Sequence, residues 1–146
     1  MGNPLQYLSL GRKGNLVELG EDPVNAVTRA GKAALVAVAS DASEHTWRRA
    51  KSFVAGTSQS CLRLPFTKDE MGQAVGRASL AIAAITDASL ALAIVKALPA
   101  GEAQDAVLAV LEEKARRQQQ RRKEAKAHEH NRQAGKTRRS DAKKEH

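Results

Sequence analysis

Two stretches of the chain carry the same polarity pattern. Ala34-Leu-Val-Ala-Val-Ala-Ser-Asp-Ala-Ser43 and Leu80-Ala-Ile-Ala-Ala-Ile-Thr-Asp-Ala-Ser89 each run from small and branched apolar residues into Ser/Thr-Asp-Ala-Ser. A continuous apolar run suits a strand buried on both faces, as happens when helices cover both sides of a sheet. The Asp and Ser that follow can accept hydrogen bonds from the free N–H groups of an incoming helix. The pattern therefore predicts a three-layer α/β/α sandwich, with Asp41 and Asp87 as caps of the helices that follow them.

The other elements can be placed by period and punctuation. Leu5, Tyr7, Leu8 and Leu10 suit a short first helix that Arg12-Lys-Gly-Asn15 ends, since Gly and Asn tolerate the left-handed backbone of a helix C-terminus. Leu16–Leu19 reads as a brief strand, and Gly20-Glu-Asp-Pro23 turns it into a helix from about 23 to 30, with Pro in its first turn. A third helix over about 42–55 puts Trp47, Ala50, Phe53 and Val54 on one face and Arg48, Arg49 and Lys51 on the other. Cys61–Phe66 is the next strand. Thr67-Lys-Asp-Glu70 is a capping box that opens a helix over about 68–75. The second repeat supplies the last strand, and Ala88–Ala97 the fifth helix. From Glu102, the residues Val107, Leu108, Val110 and Leu111 mark one more amphipathic helix, whose apolar face stops at Leu111. The expectation is a small mixed four-stranded sheet followed by a C-terminal basic helix and tail. The segments are a domain at 1–100, an amphipathic then basic helix at 101–127, and a disordered basic arm at 128–146.

Charge divides the chain more sharply than hydropathy does. Residues 1–113 carry 11 Lys+Arg against 12 Asp+Glu, whereas 114–146 carry 13 against 4. The net charge of +8 belongs to the tail. The lone Cys61 cannot form an internal disulfide and reads as a buried structural thiol. Met1-Gly-Asn-Pro4 shows neither the basic region nor the apolar core of a signal peptide. No stretch approaches the roughly 18 apolar residues of a membrane span, so the expected location is the cytoplasm.

Catalytic patterns are missing. Gly11 with Gly14, and Gly72 with Gly76, have the wrong spacing and setting for a phosphate loop. His45 and Cys61 stand alone, and His128-Glu-His130 has no further ligands around it, so no metal site is expected. Asp41 and Asp87 end strands, where ligand sites often gather. The first strand ends in Glu18-Leu19-Gly20 without the acidic pair of a phosphoacceptor, so capping is the better reading of both aspartates. No enzyme activity, cofactor or small-molecule substrate is expected.

Basic residues remain. Polyanion binding needs several Lys or Arg to neutralise phosphates and release counterions. The tail offers Arg116, Arg117, Arg121, Arg122 and Lys123 among its cations, and the domain adds Arg12, Lys13, Arg29, Lys32 and Arg77 near loops or helix ends. Tyr7, Trp47, Phe53 and Phe66 are too few, and too core-like in position, for a base-stacking platform. Nucleic acid outweighs a merely solubilising tail.

In order and spacing, several motifs resemble the kink-turn-type ribosomal protein family (L seven Ae and L thirty e), particularly its small bacterial members. They are Leu8-Ser-Leu-Gly-Arg-Lys-Gly-Asn-Leu-Val17, Gly20-Glu-Asp-Pro-Val24, Leu35-Val-Ala-Val-Ala-Ser-Asp-Ala-Ser43, Phe66-Thr-Lys-Asp-Glu-Met-Gly-Gln-Ala-Val-Gly76 and Ala81-Ile-Ala-Ala-Ile-Thr-Asp87. Met71-Gly-Gln-Ala-Val-Gly76 is the most specific of these, and the resemblance covers about residues 5–98. It implies an α/β/α sandwich that inserts the segment Gly20 to Ala26, aided by Gly76-Arg-Ala-Ser79, into a kinked RNA. Through the resemblance, Gly20, Glu21, Asp22, Gly76 and Arg77 are assigned to RNA; Lys32, Arg12, Lys13, Arg116, Arg117, Arg121, Arg122 and Lys123 are assigned to it by their charge. Where the family has Gly-x-Asn-Glu and then Lys, this chain has Gly20-Glu21-Asp22-Pro23 and then Ala26.

The expected function is therefore non-enzymatic binding of structured RNA, with ribosomal RNA and ribosome-associated proteins as partners and no membrane. The acidic Glu21-Asp22 supports a second reading, a protein-interaction module on the same fold that has lost kink-turn recognition.

Overall fold

A computed structural model describes residues 3–144, with side chains through Glu129. In chain order the elements are α1 (Pro4–Lys13), β1 (Val17–Leu19), α2 (Glu21–Arg29), β2 (Leu35–Val38), α3 (Glu44–Val54), β3 (Ser60–Arg63), α4 (Lys68–Ala74), β4 (Ile82–Ile85), α5 (Ala88–Lys96) and α6 (Glu102–Lys144). The sheet order is β1-β4-β2-β3. Strand β4 is antiparallel to both neighbours, and β2 and β3 are parallel. The mixed four-stranded sheet of an α/β protein is thus present as expected.

The two repeated apolar runs pair directly with each other at the centre of the sheet. Leu35 faces Ile85, Val36 faces Ala84, Ala37 faces Ala83 and Val38 faces Ile82. All eight residues are buried, because α2 and α3 cover one face while α1, α4 and α5 cover the other. Burial of a large aliphatic side chain contributes about 1.5–3 kcal/mol. The alanines between the large residues let the helices approach closely.

Helix starts follow the polar residues that precede them. Asn3 accepts from Leu5 N–H at 2.9 Å and forms a capping box with Gln6. Thr67 and Glu70 form the expected box on α4, and Asp87 caps α5 through Leu90 N–H at 2.9 Å. Asp41 corrects the sequence reading. Ser43 caps α3, while Asp41 Oδ1 accepts from Lys68 N–H at 2.8 Å, the first residue of α4. A side chain two residues further from the helix has turned to a neighbouring helix instead.

Strand β3 is shorter than the predicted 61–66. Leu64 N–H still donates to Val38 at 2.7 Å, but Pro65 has no N–H to continue the ladder. Cys61 is half-buried rather than fully buried, since it lies on this edge strand. Helix α2 starts at Glu21, two residues before Pro23, directly after a Gly20 whose φ of 93° makes the turn out of β1.

One compact unit runs to Ala115 and a second from Arg116. Within the first, α6 buries Leu111 and Ala115, and Gln104 Nε2 donates to the Val95 and Leu98 carbonyls at 2.7 and 3.0 Å. The arm expected at 128–146 falls partly outside the described residues: the α6 backbone is described to Lys144 and side chains only through Glu129.

Gln59 was not anticipated and locks three segments together. Its Oε1 accepts from Ala33 N–H at 3.0 Å, and its Nε2 donates to the Thr28 carbonyl at 3.0 Å and to Thr57 Oγ1 at 3.2 Å. The side chain is buried, so these backbone groups have no water to replace it. A buried donor or acceptor left unsatisfied costs about 1–3 kcal/mol. Gln59→Leu should therefore lower unfolding free energy by at least about 2 kcal/mol, read from the urea midpoint, and a change within about 0.5 kcal/mol would refute the clamp.

Candidate nucleic-acid interface

Strands β1, β2 and β3 run in one direction, so their C-terminal ends, and the start of β4, share one end of the sheet. Four loops meet there. Gly20 N–H donates to Ile82 at 3.1 Å, Ala39 N–H to Ala81 at 2.9 Å, Ser40 N–H to Phe66 at 2.7 Å, and Leu80 N–H to Lys68 at 2.9 Å. Together with the Asp41 bond to α4, these tie the start of α2, the Ser40–Ser43 turn, the start of α4 and the loop 76–79 into one surface.

At its centre is Gly20. A methyl group there would lie 3.9 Å from an Arg77 guanidinium nitrogen and 4.0 Å from Pro23 Cδ. Gly20 caps α2 without a side chain, so the amides of Glu21 and Asp22 in the first turn have no side-chain acceptor. Such amides, with the positive end of the helix dipole, favour an anion. Glu21 does not oppose this with a free charge, because it is ion-paired with Arg49 of α3. Asp22 is exposed.

Arg77 is presented by a tightly packed loop. A methyl at Gly72 would come within 2.7 Å of Ser79 N and 2.8 Å of both Arg77 O and Ser79 Cα. Arg77 N–H also bonds the Gly72 carbonyl at 2.8 Å, and Gly76 turns the chain at φ 78°. The Met71–Gly76 motif therefore has a physical role, the close stacking of α4 against this loop.

Sequence-derived candidates divide by place. Gly20, Glu21, Asp22, Gly76 and Arg77 gather at this end. Arg12, Lys13 and Lys32 do not: they flank the starts of β1 and β2, at the opposite end of the sheet. The strands between span about 10 Å, and the loops add to that distance. Arg116, Arg117, Arg121, Arg122 and Lys123 are exposed on α6, in the second unit. Asp41 and Lys68 were missed as parts of this surface, because their bond links positions 27 residues apart.

Trp47 and its neighbours also depart from a simple solvated face. Arg63 lies 4.9 Å from the Trp47 ring centre, Lys51 lies 5.5 Å from the same ring, and Arg49 lies 5.3 Å from Phe53. Cations so placed gain about 0.5–1 kcal/mol each at exposed sites. Burial pushes the Cys61 thiol up to about 12, against smaller opposing effects of Lys51 and Arg63. A shallow groove of about 430 Å³ between α1 and α4 is lined by Leu5, Gln6, Ser9, Glu70, Gln73 and Ala74. Among the described residues no cluster of three metal-ligating side chains occurs, and no helix is long and apolar enough to cross a membrane.

The fold is shared with known structures. A protein of unknown function from Bacillus halodurans C superposes with a TM-score of 0.61 at 20% identity, over 66% of this chain and 97% of that one. The Giardia lamblia 15.5kD RNA binding protein superposes with a TM-score of 0.51 at 18% identity, over 77% of this chain and 83% of that one. No protein-family model matches the chain, and no curated protein does. The likeness is one of fold.

Two consequences can be measured. Gly72→Ala forces backbone atoms apart, so stability should fall by about 1–3 kcal/mol, and amide exchange at 77–79 should rise. Unchanged exchange there would show that the loop does not depend on Gly72. The raised Cys61 pKa favours the neutral thiol in the folded state. The stability it confers is complete below its ordinary value of 9.0 and is lost as pH rises towards about 12. Iodoacetamide should label native protein at pH 9 far more slowly than urea-unfolded protein; equal rates would contradict this.

Proposed function

We propose that this protein binds structured RNA without catalysing a reaction, in the manner of a ribosomal protein, with ribosomal RNA as the target class. The carrying observation is the Arg77 guanidinium beside Gly20, at the uncapped start of α2. A phosphate at that point meets a delocalised cation that can bond it bidentately, helix amides, and a residue without a side chain to block approach. The fold shared with a Giardia RNA-binding protein supports this reading. So does the resemblance of Gly20–Val24 and Met71–Gly76 to kink-turn-binding ribosomal proteins.

The basic stretch of α6 adds a sequence-independent attraction. Arg117 with Arg121, and Arg122 with Lys126, stand one helical turn apart. Cations spaced one turn apart on a helix can neutralise successive phosphates and release their counterions. Action in the cytoplasm, in association with ribosomes and their proteins, belongs to the same proposal.

A second reading rests on Glu21 and Asp22. With Asp22 exposed and Glu21 engaged by Arg49, the loop is also suited to a basic protein partner.

Fluorescence anisotropy with a kink-turn RNA and a plain duplex of equal length separates these readings. Arg77→Ala should weaken kink-turn binding about tenfold, or about 1.4 kcal/mol, and duplex binding much less. Gln at Arg116, Arg117, Arg121, Arg122 and Lys123 together should reduce the salt slope of both by up to about 4 and leave their ratio unchanged. RNA binding untouched by Arg77→Ala would move the domain to the protein-interaction class.

A further inference from the structure

We propose that the end of the sheet opposite Gly20 and Arg77 is a second RNA-binding face, formed by Arg12, Lys13, Arg29 and Lys32, so that one domain holds two RNA segments. The inference rests on the RNA reading above and adds a separate site to it.

The four cations reach this end from both helical layers. Arg12 and Lys13 occupy the last turn of α1, and Arg29 the last turn of α2. Lys32 follows the turn at Gly31, where φ is 71°. The end of β4 joins the two groups. Thr86 N–H and Oγ1 both donate to the Leu16 carbonyl, at 2.9 and 3.0 Å, while Ala34 N–H donates to Ile85 at 2.8 Å. The chains leading into β1 and β2 are therefore two strand spacings apart, about 10 Å. That is comparable with the screening length at physiological salt, so the four charges act on an approaching polyanion together.

All four side chains are exposed. None of the four takes part in the Arg49–Glu21 or Arg63–Glu44 ion pair. Asp87 is the acid that follows β4 at this end, and its carboxylate is engaged in capping α5. Cations in the last turns of α1 and α2 also offset the helix dipoles, which is the structural alternative. Backbone donors already serve those carbonyls, however. Gly14, Asn15 and Leu16 N–H bond back to Leu10, Arg12 and Gly11, and Ala30, Gly31 and Lys32 N–H bond to Ala26, Thr28 and Val27. Lys32 lies beyond the helix altogether. Four exposed cations within this distance repel one another, and phosphates remove that repulsion while releasing their own counterions.

The test uses the full chain. Kink-turn RNA is immobilised, protein is bound, and a labelled RNA duplex is then offered, with captured duplex expressed per protein retained. The inference expects capture by the wild type, and a drop of at least fivefold for Arg12→Gln/Lys13→Gln/Arg29→Gln/Lys32→Gln. Arg12→Lys/Arg29→Lys, which keeps the charge, should capture as the wild type does, and thermal melts confirm that each variant is folded. Capture by the quadruple variant equal to wild type would assign the four cations to the helix dipoles and overturn the second site, leaving the first intact. Wild-type protein that binds the immobilised RNA but captures no duplex overturns it equally. Cation-dependent binding to phosphatidylserine vesicles without duplex capture would make this a membrane face instead. Wild-type protein that fails to bind the first RNA ends the RNA reading itself, and the second site with it.

Discussion

The structure depends on one pairing, β2 against β4. Both strands are buried on both faces, so every backbone polar group in them must be met by a neighbouring strand and every side chain by a helix. The antiparallel register places Leu35 on Ile85 and Val38 on Ile82, with alanines between. Those alanines keep the central layer thin. Gly11 continues the theme: a methyl there would press within 2.6 Å of Leu90 and Val17 side chains, so α1 lies close against β1 and α5. The flanking strands, the loops and the position of every helix follow from this core.

The same pairing explains why the two ends of the sheet differ. Because β2 and β4 run in opposite directions, the two copies of Ser/Thr-Asp-Ala-Ser emerge at opposite ends. Asp41 reaches across to α4 and helps assemble the surface around Gly20 and Arg77. Asp87 caps α5, the helix that follows it. Near-identical short sequences thus have different roles, since an aspartate's partner is whichever amide the tertiary structure brings within reach. Charge is arranged to match. At the Gly20 end Glu21 pairs with Arg49, whereas at the far end Arg12, Lys13, Arg29 and Lys32 are exposed.

Much of this was legible in residue order. The apolar runs, the capping box at Thr67 and Glu70, and the glycine-bounded helices carry local signals that hold in any context. Strand β3 was read too long because its apolar run was given more weight than Pro65, which has no N–H to continue the ladder. Cys61 was read as fully buried because its edge position depends on strand order. The Gln59 clamp and the Asp41–Lys68 bond were invisible, since their partners are some 26 to 31 residues away in sequence. At the candidate interface, the meeting of Gly20 with the loop of Gly76 and Arg77 was legible through motif resemblance. That Arg12, Lys13 and Lys32 stand apart from them was not.

Sequence alone therefore determined the class of fold, the order of its elements and the concentration of positive charge beyond Leu111. These are local properties: periodicity, capping chemistry and composition act over a few residues. Tertiary structure decided which loops share an end of the sheet, which aspartate serves which helix, and how the domain's cations divide into two groups. Those outcomes depend on strand direction and order, which arise only when distant segments compete to bury the same apolar surface.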